Sequence, residues 1–165
     1  MPTLTTTRES TRPTDPRVAP RVGNSPAWPA DIAEEKGALG VCFLGQATEA
    51  VRLLGVDDFS LSSHREIFAT ILELVGRGEL ALEISLVAGE LRKRGSLEQV
   101  GGVAYLADLD FGVVPERGME SRMKLLREFA DRRRVLRVSE EAMRRSMDLR
   151  QPIAQTLTWM RDEIG

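Results

Sequence analysis

Few side chains in this sequence can carry catalytic or metal-binding chemistry. His64 is the only histidine and Cys42 the only cysteine, so the chain can form neither an internal disulfide nor a Cys-ligated zinc site. His64 lies in the first turn of a predicted helix, where a capping or hydrogen-bonding role is favoured over a catalytic one. Phosphate loops of the G-x-x-x-x-G-K-S/T and G-x-G-x-x-G types do not occur. The sequence therefore indicates no catalytic, cofactor-binding or metal site.

Composition and charge narrow the class of protein. The chain has 165 residues and a mass of 18.3 kDa, which suits one domain with a single core. Hydrophobic residues make up 42%, so wholesale disorder is excluded, and 25 acidic against 23 basic residues exclude a generally basic nucleic-acid coat. No apolar run approaches the roughly 18 residues that span a bilayer, and the N-terminus lacks a hydrophobic signal core. We expect a soluble cytoplasmic protein without membrane contact.

Residues 1–30 differ in composition from the rest of the chain. They contain six of the eight prolines and six threonines, but almost no large apolar residues. Such a segment cannot bury enough apolar surface to offset the conformational entropy lost on folding. We therefore expect a disordered Pro/Thr-rich tail over 1–30 that is dispensable for folding. Trp28 either pins the end of this tail to the domain or is a lone exposed aromatic.

The pattern from residue 31 onward is helical, without convincing strand alternation. Asp31 with Glu34, and Ser63 with Glu66, each resemble a capping box at the start of a helix. Several helical segments are followed by glycines that are expected to end them: Gly45, Gly55, Gly76 and Gly95. The sequence predicts an all-α fold with a small globular helical bundle over 31–115.

Two apolar stripes mark the C-terminal third, which has one glycine and no proline between Glu116 and about Arg150. The first stripe follows a heptad, extended by one turn at each end: Leu125, Phe129, Leu136, Met143 and Met147. The second stripe lies beside it: Val135, Val138, Ala142 and Leu149. After the break at Gln151-Pro152, a last helix has one apolar face: Ile153, Leu157, Met160 and Ile164. We expect a long helical hairpin over 116–165 that projects from the bundle.

The width of the apolar arc on the long helix predicts two neighbours, since one neighbour needs a single stripe. We expect one stripe to face the other helix of the hairpin. The heptad stripe, from Leu125 to Met147, would then be an interface with another subunit, because a patch of that size exposed in a monomer requires a partner. The alternative is that both stripes are buried within a single monomer.

The long helix is also the basic part of the domain. Residues 119–150 hold ten Lys or Arg against six acids, a net charge of +4, and include the run Arg132, Arg133 and Arg134. This charge either guides DNA or an acidic partner to the helix, or belongs to a solvated face with interleaved carboxylates, which we favour. The eight aromatic residues are too few for a stacking platform for single-stranded DNA.

Four segments stand out in order along the chain. They are EEKGALG at 34–40, DDFSLSSHREIF at 57–68, RGSLEQVGGVAYLADL at 94–109 and LLREFADRRRVL at 125–136. Together, over about residues 29–164, the chain resembles the N-terminal domain of the DnaB-type replicative DNA helicases. Eight of the matching positions are interpreted as structural: Asp58, Phe59, His64, Phe68, Gly101, Gly102, Tyr105 and Leu106. Phe59 and Phe68 are expected in the core, and the glycine pair in a tight turn before Tyr105, whose hydroxyl needs a hydrogen-bond partner.

The resemblance implies a non-catalytic scaffold. In this family the N-terminal domains pair through their hairpins and form a collar on one face of the helicase hexamer, on which primase docks. ATP hydrolysis and strand separation, with their ATP and Mg²⁺, belong to a RecA-like motor domain that is missing from this chain. The implied partners are a second copy of the chain, primase, and a helicase motor or loader, with DNA contacted only indirectly.

Two other functions stay open at this point. A free-standing adaptor or antagonist would bind a helicase or primase through the same hairpin without being part of a motor. A helical DNA-binding protein would use the arginine run at 132–134 and would show salt-sensitive affinity for DNA.

The missing phosphate loop leads to a first prediction. The purified chain should show no ATP turnover and no helicase activity, because it has no loop of backbone amides that could hold the nucleotide phosphates. A phosphate-release assay measures this directly, with a P-loop ATPase as positive control. Stoichiometric ATP binding with turnover would contradict it.

Overall fold

The computed structural model of this protein describes residues 28–111 and 118–164, apart from the side chains of residues 110 and 111. This part of the chain contains seven α-helices: α1 (Ile32–Val41), α2 (Ala47–Leu53), α3 (Ser62–Gly76), α4 (Ile84–Lys93), α5 (Gly102–Phe111), α6 (Met119–Met147) and α7 (Ile153–Ile164). No strand occurs among these residues, which confirms the predicted all-α fold. None of their helices is both long and apolar enough to cross a membrane. The Pro/Thr-rich tail lies outside the described residues except for positions 28–30.

Helix α1 begins with a side-chain cap, as the sequence predicts. The Asp31 carboxylate accepts hydrogen bonds from the amides of Ala33 and Glu34, both at 3.1 Å. The Glu34 carboxylate forms an ion pair with Arg122 of α6, with an N···O distance of 2.8 Å. The first turn of α1 is therefore tied both to its own cap and to the long helix.

The second capping box predicted from the sequence, Ser63 with Glu66, is wrong. Helix α3 begins at Ser62, and its N-cap residue, Leu61, makes no side-chain hydrogen bond to the first turn. Glu66 accepts a hydrogen bond from the Ser96 hydroxyl at 2.9 Å instead. The Glu66 carboxylate therefore makes a tertiary contact, where local spacing predicts a capping contact.

Glycines bend the chain where the sequence places turns. Gly45 has a φ of +82° between α1 and α2, and Gly101 and Gly102 have φ values of +103° and +70° at the start of α5. A Cβ at Gly101 would come within 2.8 Å of the Tyr105 Cβ, so backbone angle and space both exclude a side chain there. The tight turn predicted for the glycine pair is confirmed.

The core of the bundle lies among α1–α5 and the first half of α6. Phe59 and Phe68 are fully buried, as predicted, and their ring centroids are 4.8 Å apart. Leu106 of α5 is fully buried as well. Other large apolar side chains of the core are Leu39, Ile67, Ile71, Leu91, Met123 and Leu126. Because the last two are on α6, the long helix is itself part of the core.

Beyond the bundle, α6 continues into the predicted hairpin with α7. Its 29 residues correspond to about 43 Å of helix. Val138 and Ala142 of α6 and Thr156 of α7 are buried, and the Arg145 guanidinium lies 4.2 Å from the centroid of the Trp159 ring. These contacts hold together a layer that is only two helices thick.

Arg122 makes the first attachment of α6 to the bundle. This buried side chain pairs with Glu34 and lies against Gly37, both on α1. A Cβ at position 37 would overlap the Arg122 guanidinium. The absence of a side chain at Gly37 therefore leaves room for the Arg122 guanidinium against α1.

Arg133 makes the second attachment, and this corrects the sequence-based expectation for it. The sequence left open either a contact with DNA or an acidic partner or a place on a solvated face, and neither holds for a residue that is only 5% exposed. Its guanidinium donates to the carbonyl oxygens of Pro29, Asp57 and Asp58 at 2.9, 3.3 and 2.8 Å. These three contacts lie inside the protein and the residue is nearly buried, so Arg133 does not present its guanidinium to a partner surface.

The Pro29 carbonyl leads to a prediction about where the folded domain starts. A chain that begins at Trp28 keeps this acceptor and should melt at the temperature of the full chain, because the deleted segment has the composition of a tail. A chain that begins at Asp31 leaves a buried Arg133 donor unpaired, which should lower the free energy of unfolding by about 1–3 kcal/mol. Thermal unfolding followed by circular dichroism measures both.

The same two truncations in an Arg133→Met background are the control. With no guanidinium to pair, the difference between their melting temperatures should shrink to whatever the half-buried Trp28 contributes. A Trp28 start that melts well below the full chain would show that the preceding residues contribute to the fold. Equal melting of both truncations with Arg133 present would show that the Pro29 contact contributes nothing.

Candidate functional site

A fully buried acid–base pair lies inside the bundle. Glu35 and His64 have no exposed surface, and Glu35 Oε2 lies 2.6 Å from His64 Nδ1. Glu35 Oε1 accepts from the Ser60 amide at 2.8 Å and from the Ser60 hydroxyl at 2.5 Å. The other ring nitrogen of His64, Nε2, lies 2.7 Å from the Tyr105 hydroxyl. We call Glu35, Ser60, His64 and Tyr105 the buried polar cluster.

The buried polar cluster joins three helices. Glu35 is on α1, Ser60 lies just before α3, His64 is in the first turn of α3, and Tyr105 is on α5. An ionised carboxylate only accepts hydrogen bonds, so His64 Nδ1 donates to Glu35. A ring protonated on Nδ1 alone then accepts the Tyr105 proton at Nε2. In this arrangement every polar atom of the carboxylate and the imidazole has a partner.

Burial and hydrogen bonding act on the Glu35 pKa in opposite directions. Burial alone would raise this pKa, because it disfavours the charged carboxylate. The hydrogen bonds from His64 and Ser60 favour the charged form and together outweigh burial, so the Glu35 pKa lies below its ordinary value. Burial, together with the nearby Glu35 charge, raises the pKa of the Tyr105 hydroxyl. At neutral pH the cluster therefore contains a carboxylate and a protonated phenol.

The geometry of the buried polar cluster is that of a proton relay, but a substrate has no access to it. His64 and Glu35 are fully buried, and five surface cavities found among the described residues are lined by side chains outside the buried polar cluster. Within 28–111 and 118–164, no group of three His, Cys, Asp or Glu side chains is placed to hold a metal ion. The hydrogen-bonding role expected for His64 is confirmed, and so is a partner for the Tyr105 hydroxyl.

Sequence reasoning missed Glu35 as the partner of His64. Local spacing pointed to Glu34, which stands at capping distance from Asp31, whereas Glu35 and His64 are 29 positions apart and meet only because α1 packs on α3. One signal was available: the residues that follow Glu35 in α1 are small or apolar from position 37 onward. A carboxylate on such a buried helix needs a donor, and the single histidine could have been that donor.

Asp58, another family-motif position, closes a short turn. Its Oδ2 accepts from the Gly55 amide at 2.8 Å and caps the single 3₁₀ turn Val56–Asp58. Burial raises the Asp58 pKa, and the hydrogen bond from Gly55 offsets this only in part. The turn presents the carbonyl oxygens of Asp57 and Asp58 to Arg133. Asp58 thus shapes the backbone that receives the long helix.

The five residues expected at an interface become more exposed as α6 leaves the bundle. Leu125 and Phe129 are half-buried, and Leu136 is exposed. Met143 and Met147, further along the hairpin, are 61% and 81% exposed. The alternative that both stripes are buried within one monomer does not hold for this outer part of the stripe.

The other apolar side chains of the hairpin divide between a buried and an exposed set. Val138 and Ala142 of the second stripe are buried in the hairpin, as expected for residues that face α7. Val135 and Leu149, also of that stripe, are exposed, and so is most of the apolar face of α7. We call the exposed apolar side chains the hairpin surface: Val135, Leu136, Met143, Met147, Leu149, Ile153, Leu157 and Ile164.

The arginine run at 132–134 does not form one basic surface. Arg132 pairs with Glu128 one turn earlier, with an N···O distance of 2.6 Å. Arg134 donates to the backbone carbonyl of Glu163 on α7. Successive helical residues point about 100° apart, so these side chains and the buried Arg133 lie in three different surroundings.

Comparison with known proteins identifies the family. The family model for the DnaB-like helicase N terminal domain matches residues 27–128, more than half of the chain. The chain belongs to the DnaB-like helicase N-terminal domain family. The match begins next to Trp28 and ends within α6, so it includes all of the buried polar cluster of this DnaB-like domain.

Replicative helicases are among the relatives of this DnaB-like domain. Replicative DNA helicase DnaC of Bacillus subtilis is 34% identical over 113 residues, which are 67% of this chain and 25% of the relative. Replicative DNA helicase DnaB of Geobacillus stearothermophilus is 32% identical over the same shares. The chain therefore spans about a quarter of the length of the curated relatives it matches.

A solved structure supports the architecture of the DnaB-like domain. The crystal structure of the N-terminal domain of DnaB helicase from Mycobacterium tuberculosis matches with a TM-score of 0.73 and 27% sequence identity. The match covers 82% of this chain and 96% of that domain. Such coverage is more than the bundle contains, so the likeness extends into the hairpin.

The lowered Glu35 pKa leads to a prediction about pH dependence. A carboxylate with a lower pKa in the folded than in the unfolded state stabilises the fold above its unfolded pKa of about 4.3, and this stabilisation is lost as the pH falls through the folded value. In Glu35→Gln the pH-dependent part is removed. The difference in free energy of unfolding between wild type and Glu35→Gln should be largest near neutral pH and shrink in acid.

Denaturant unfolding over a pH series measures this difference. Glu49→Gln on α2 is the matched control, because Glu49 pairs with Arg52 in solvent and its replacement should have little effect at any pH. A pH-independent gap between wild type and Glu35→Gln would show that Glu35 is not held as the carboxylate.

Proposed function

We propose that this DnaB-like domain is the non-catalytic N-terminal collar domain of a replicative DNA helicase, and that it contributes to ring assembly by self-association through its hairpin. The observation that carries the proposal is the hairpin surface, with its exposed apolar side chains on both α6 and α7. Family membership and the replicative helicases among the relatives support a role in DNA replication.

The hairpin surface supports self-association because a layer two helices thick cannot bury both of its faces. Burying the exposed parts of the eight side chains of the hairpin surface would contribute on the order of 10 kcal/mol. Association costs about 4–15 kcal/mol in lost translational and rotational freedom. Since these magnitudes overlap, a dimer held by the hairpin alone should be weak. A closed ring, in which each subunit has two neighbours, would be tighter.

The other partners in the proposal follow from the family. The assembled domains form the platform on which primase docks, and a helicase motor or loader acts with the same ring. ATP and Mg²⁺ are assigned to the motor domain, because the sequence of this chain lacks a phosphate-binding loop. DNA is contacted only indirectly, a choice supported by the burial of Arg133 in the middle of the arginine run at 132–134.

A free-standing adaptor or antagonist is the second candidate, since the hairpin surface could equally cover the hairpin of a helicase subunit. The two candidates differ in what the chain does alone. A collar domain should self-associate, whereas an antagonist should stay monomeric and bind the N-terminal domain of a helicase. Sedimentation of the chain alone and mixed with a DnaB N-terminal domain separates them.

The hairpin surface leads to a prediction about oligomeric state. The wild-type chain should self-associate at about tens of micromolar. Met143→Glu with Met147→Glu should be monomeric, because the two carboxylates would have to enter a dry interface. Both positions are exposed in the single chain, so helical content should not change, and the melting temperatures should agree at a dilution where the wild type is also monomeric.

Sedimentation velocity measures the oligomeric state, and circular dichroism the fold. The control is Leu80→Glu, which places a carboxylate at a 71% exposed leucine of the bundle and should associate like wild type. Association of the double variant at wild-type strength would show that these methionines are not at the interface. An unfolded double variant would show that they are part of the core.

A further inference from the structure

Arg133 lies where α6 passes from the bundle to the hairpin. Before it, Met123 and Leu126 are in the bundle core; after it, Val138 and Ala142 are buried in the hairpin. A side chain at this position can therefore tie the hairpin to the bundle. The residue does so with three hydrogen bonds from a nearly fully buried guanidinium.

The acceptors of Arg133 are backbone carbonyl oxygens from two separate segments. Pro29 lies ahead of α1, and Asp57 and Asp58 form part of the 3₁₀ turn that precedes α3. Backbone oxygens cannot turn toward a donor as a side chain can, so the planar guanidinium fits them in one arrangement only. A lysine ammonium has no such fork and would not span the three oxygens.

A buried cation is a costly way to gain stability alone. Burial lowers the Arg133 pKa, although the nearby charges of Glu35 and Asp58 act against this effect. Buried charged groups are often replaceable by apolar residues of similar volume without loss of stability. Their best-supported use is to select one arrangement among several of similar energy.

Two points of attachment determine the direction of a helix, whereas one point leaves a pivot. Arg122, paired with Glu34, is the first point, and Arg133 is the second. They are eleven residues apart, which is about 16 Å along α6. Without Arg133, the bundle would be held near the start of α6 by Arg122, Met123 and Leu126, and could swing about that end.

We propose that Arg133 is a positioning residue that sets the orientation of the bundle on the hairpin. In the assembled collar, hairpins joined to one another would then carry all bundles in one orientation, so that a partner touching two bundles meets them at a fixed separation. The consequence for the ring rests on the proposed function, whereas the orientation is a property of the single chain.

A distance measurement across the two parts of the molecule tests this proposal. Spin labels are attached to the full chain at Arg92→Cys, on α4 of the bundle, and at Arg150→Cys, at the far end of the hairpin; both native residues are exposed. The native Cys42 should stay unlabelled, because it is fully buried and burial raises its pKa to about 12. Labelled chains are diluted with excess unlabelled chain, so that pulsed electron paramagnetic resonance reports distances within one chain.

Arg133→Met, which keeps an unbranched apolar stem, should broaden the distance distribution and shift its maximum relative to wild type. Arg137→Met, exposed one turn further along α6, is the matched control and should leave the distribution unchanged. A narrow wild-type-like distribution in Arg133→Met would overturn the proposal. A lowered melting temperature with that same narrow distribution would also overturn it, because the role would then be stability alone.

Should Arg133→Met fail to fold by circular dichroism, Arg133→Lys decides the question. It keeps the charge but loses the fork, so the proposal expects a broadened distribution with retained helical content, and an unchanged distribution contradicts it. Sedimentation of the same samples separates this result from the proposed function. A monomeric wild type would remove the collar, whereas the distances within one chain would still test the orientation.

Discussion

The structure depends on one helix that belongs to two layers at once. The first half of α6 completes the bundle core with Met123 and Leu126, and its second half pairs with α7. A continuous helix cannot change its direction between the two, so the position of the hairpin is fixed by how α6 is seated on the bundle. The two buried arginines, Arg122 and Arg133, attach α6 to the bundle, and the partners of both lie in the first half of the chain.

The bundle that receives α6 is itself held by contacts between distant segments. The buried polar cluster joins α1, α3 and α5 through the Glu35 carboxylate, whose two oxygens both accept hydrogen bonds, and through the His64 ring. An unpaired polar group in such a cluster would cost free energy, and its hydrogen bonds form only in particular directions. The cluster therefore favours one arrangement of the three helices over others of similar apolar burial. The bundle and the thin hairpin thus differ: the bundle pairs its buried polar cluster internally, whereas the hairpin has eight of the twelve exposed large apolar side chains among the described residues.

Local pattern was enough to predict the helices, their glycine ends, the hairpin and the core aromatics. The heptad from Leu125 to Met147 can be recognised from residues that are close in the sequence. The same is true of Phe59 and Phe68, which lie on either side of a predicted helix start. Contacts across long separations were out of reach. Glu35 looked like any first-turn acid, Glu66 looked like a cap, and Arg133 looked like its two neighbours in a basic run. The partner of each of these side chains is a group from a distant part of the sequence. Local spacing does not predict which group that is.

Gly37, in the first family-motif segment, has a consequence for an assembly that mixes altered and unaltered subunits. A side chain there would displace the Arg122 guanidinium and disturb its ion pair with Glu34, while the hairpin surface would be left intact. If hairpins alone select the members of the proposed ring, a subunit altered at Gly37 would still be admitted, with one of the two attachments of its bundle weakened. The defect would then be dominant: in a cell with both forms, a minority of altered subunits would spoil the majority of rings.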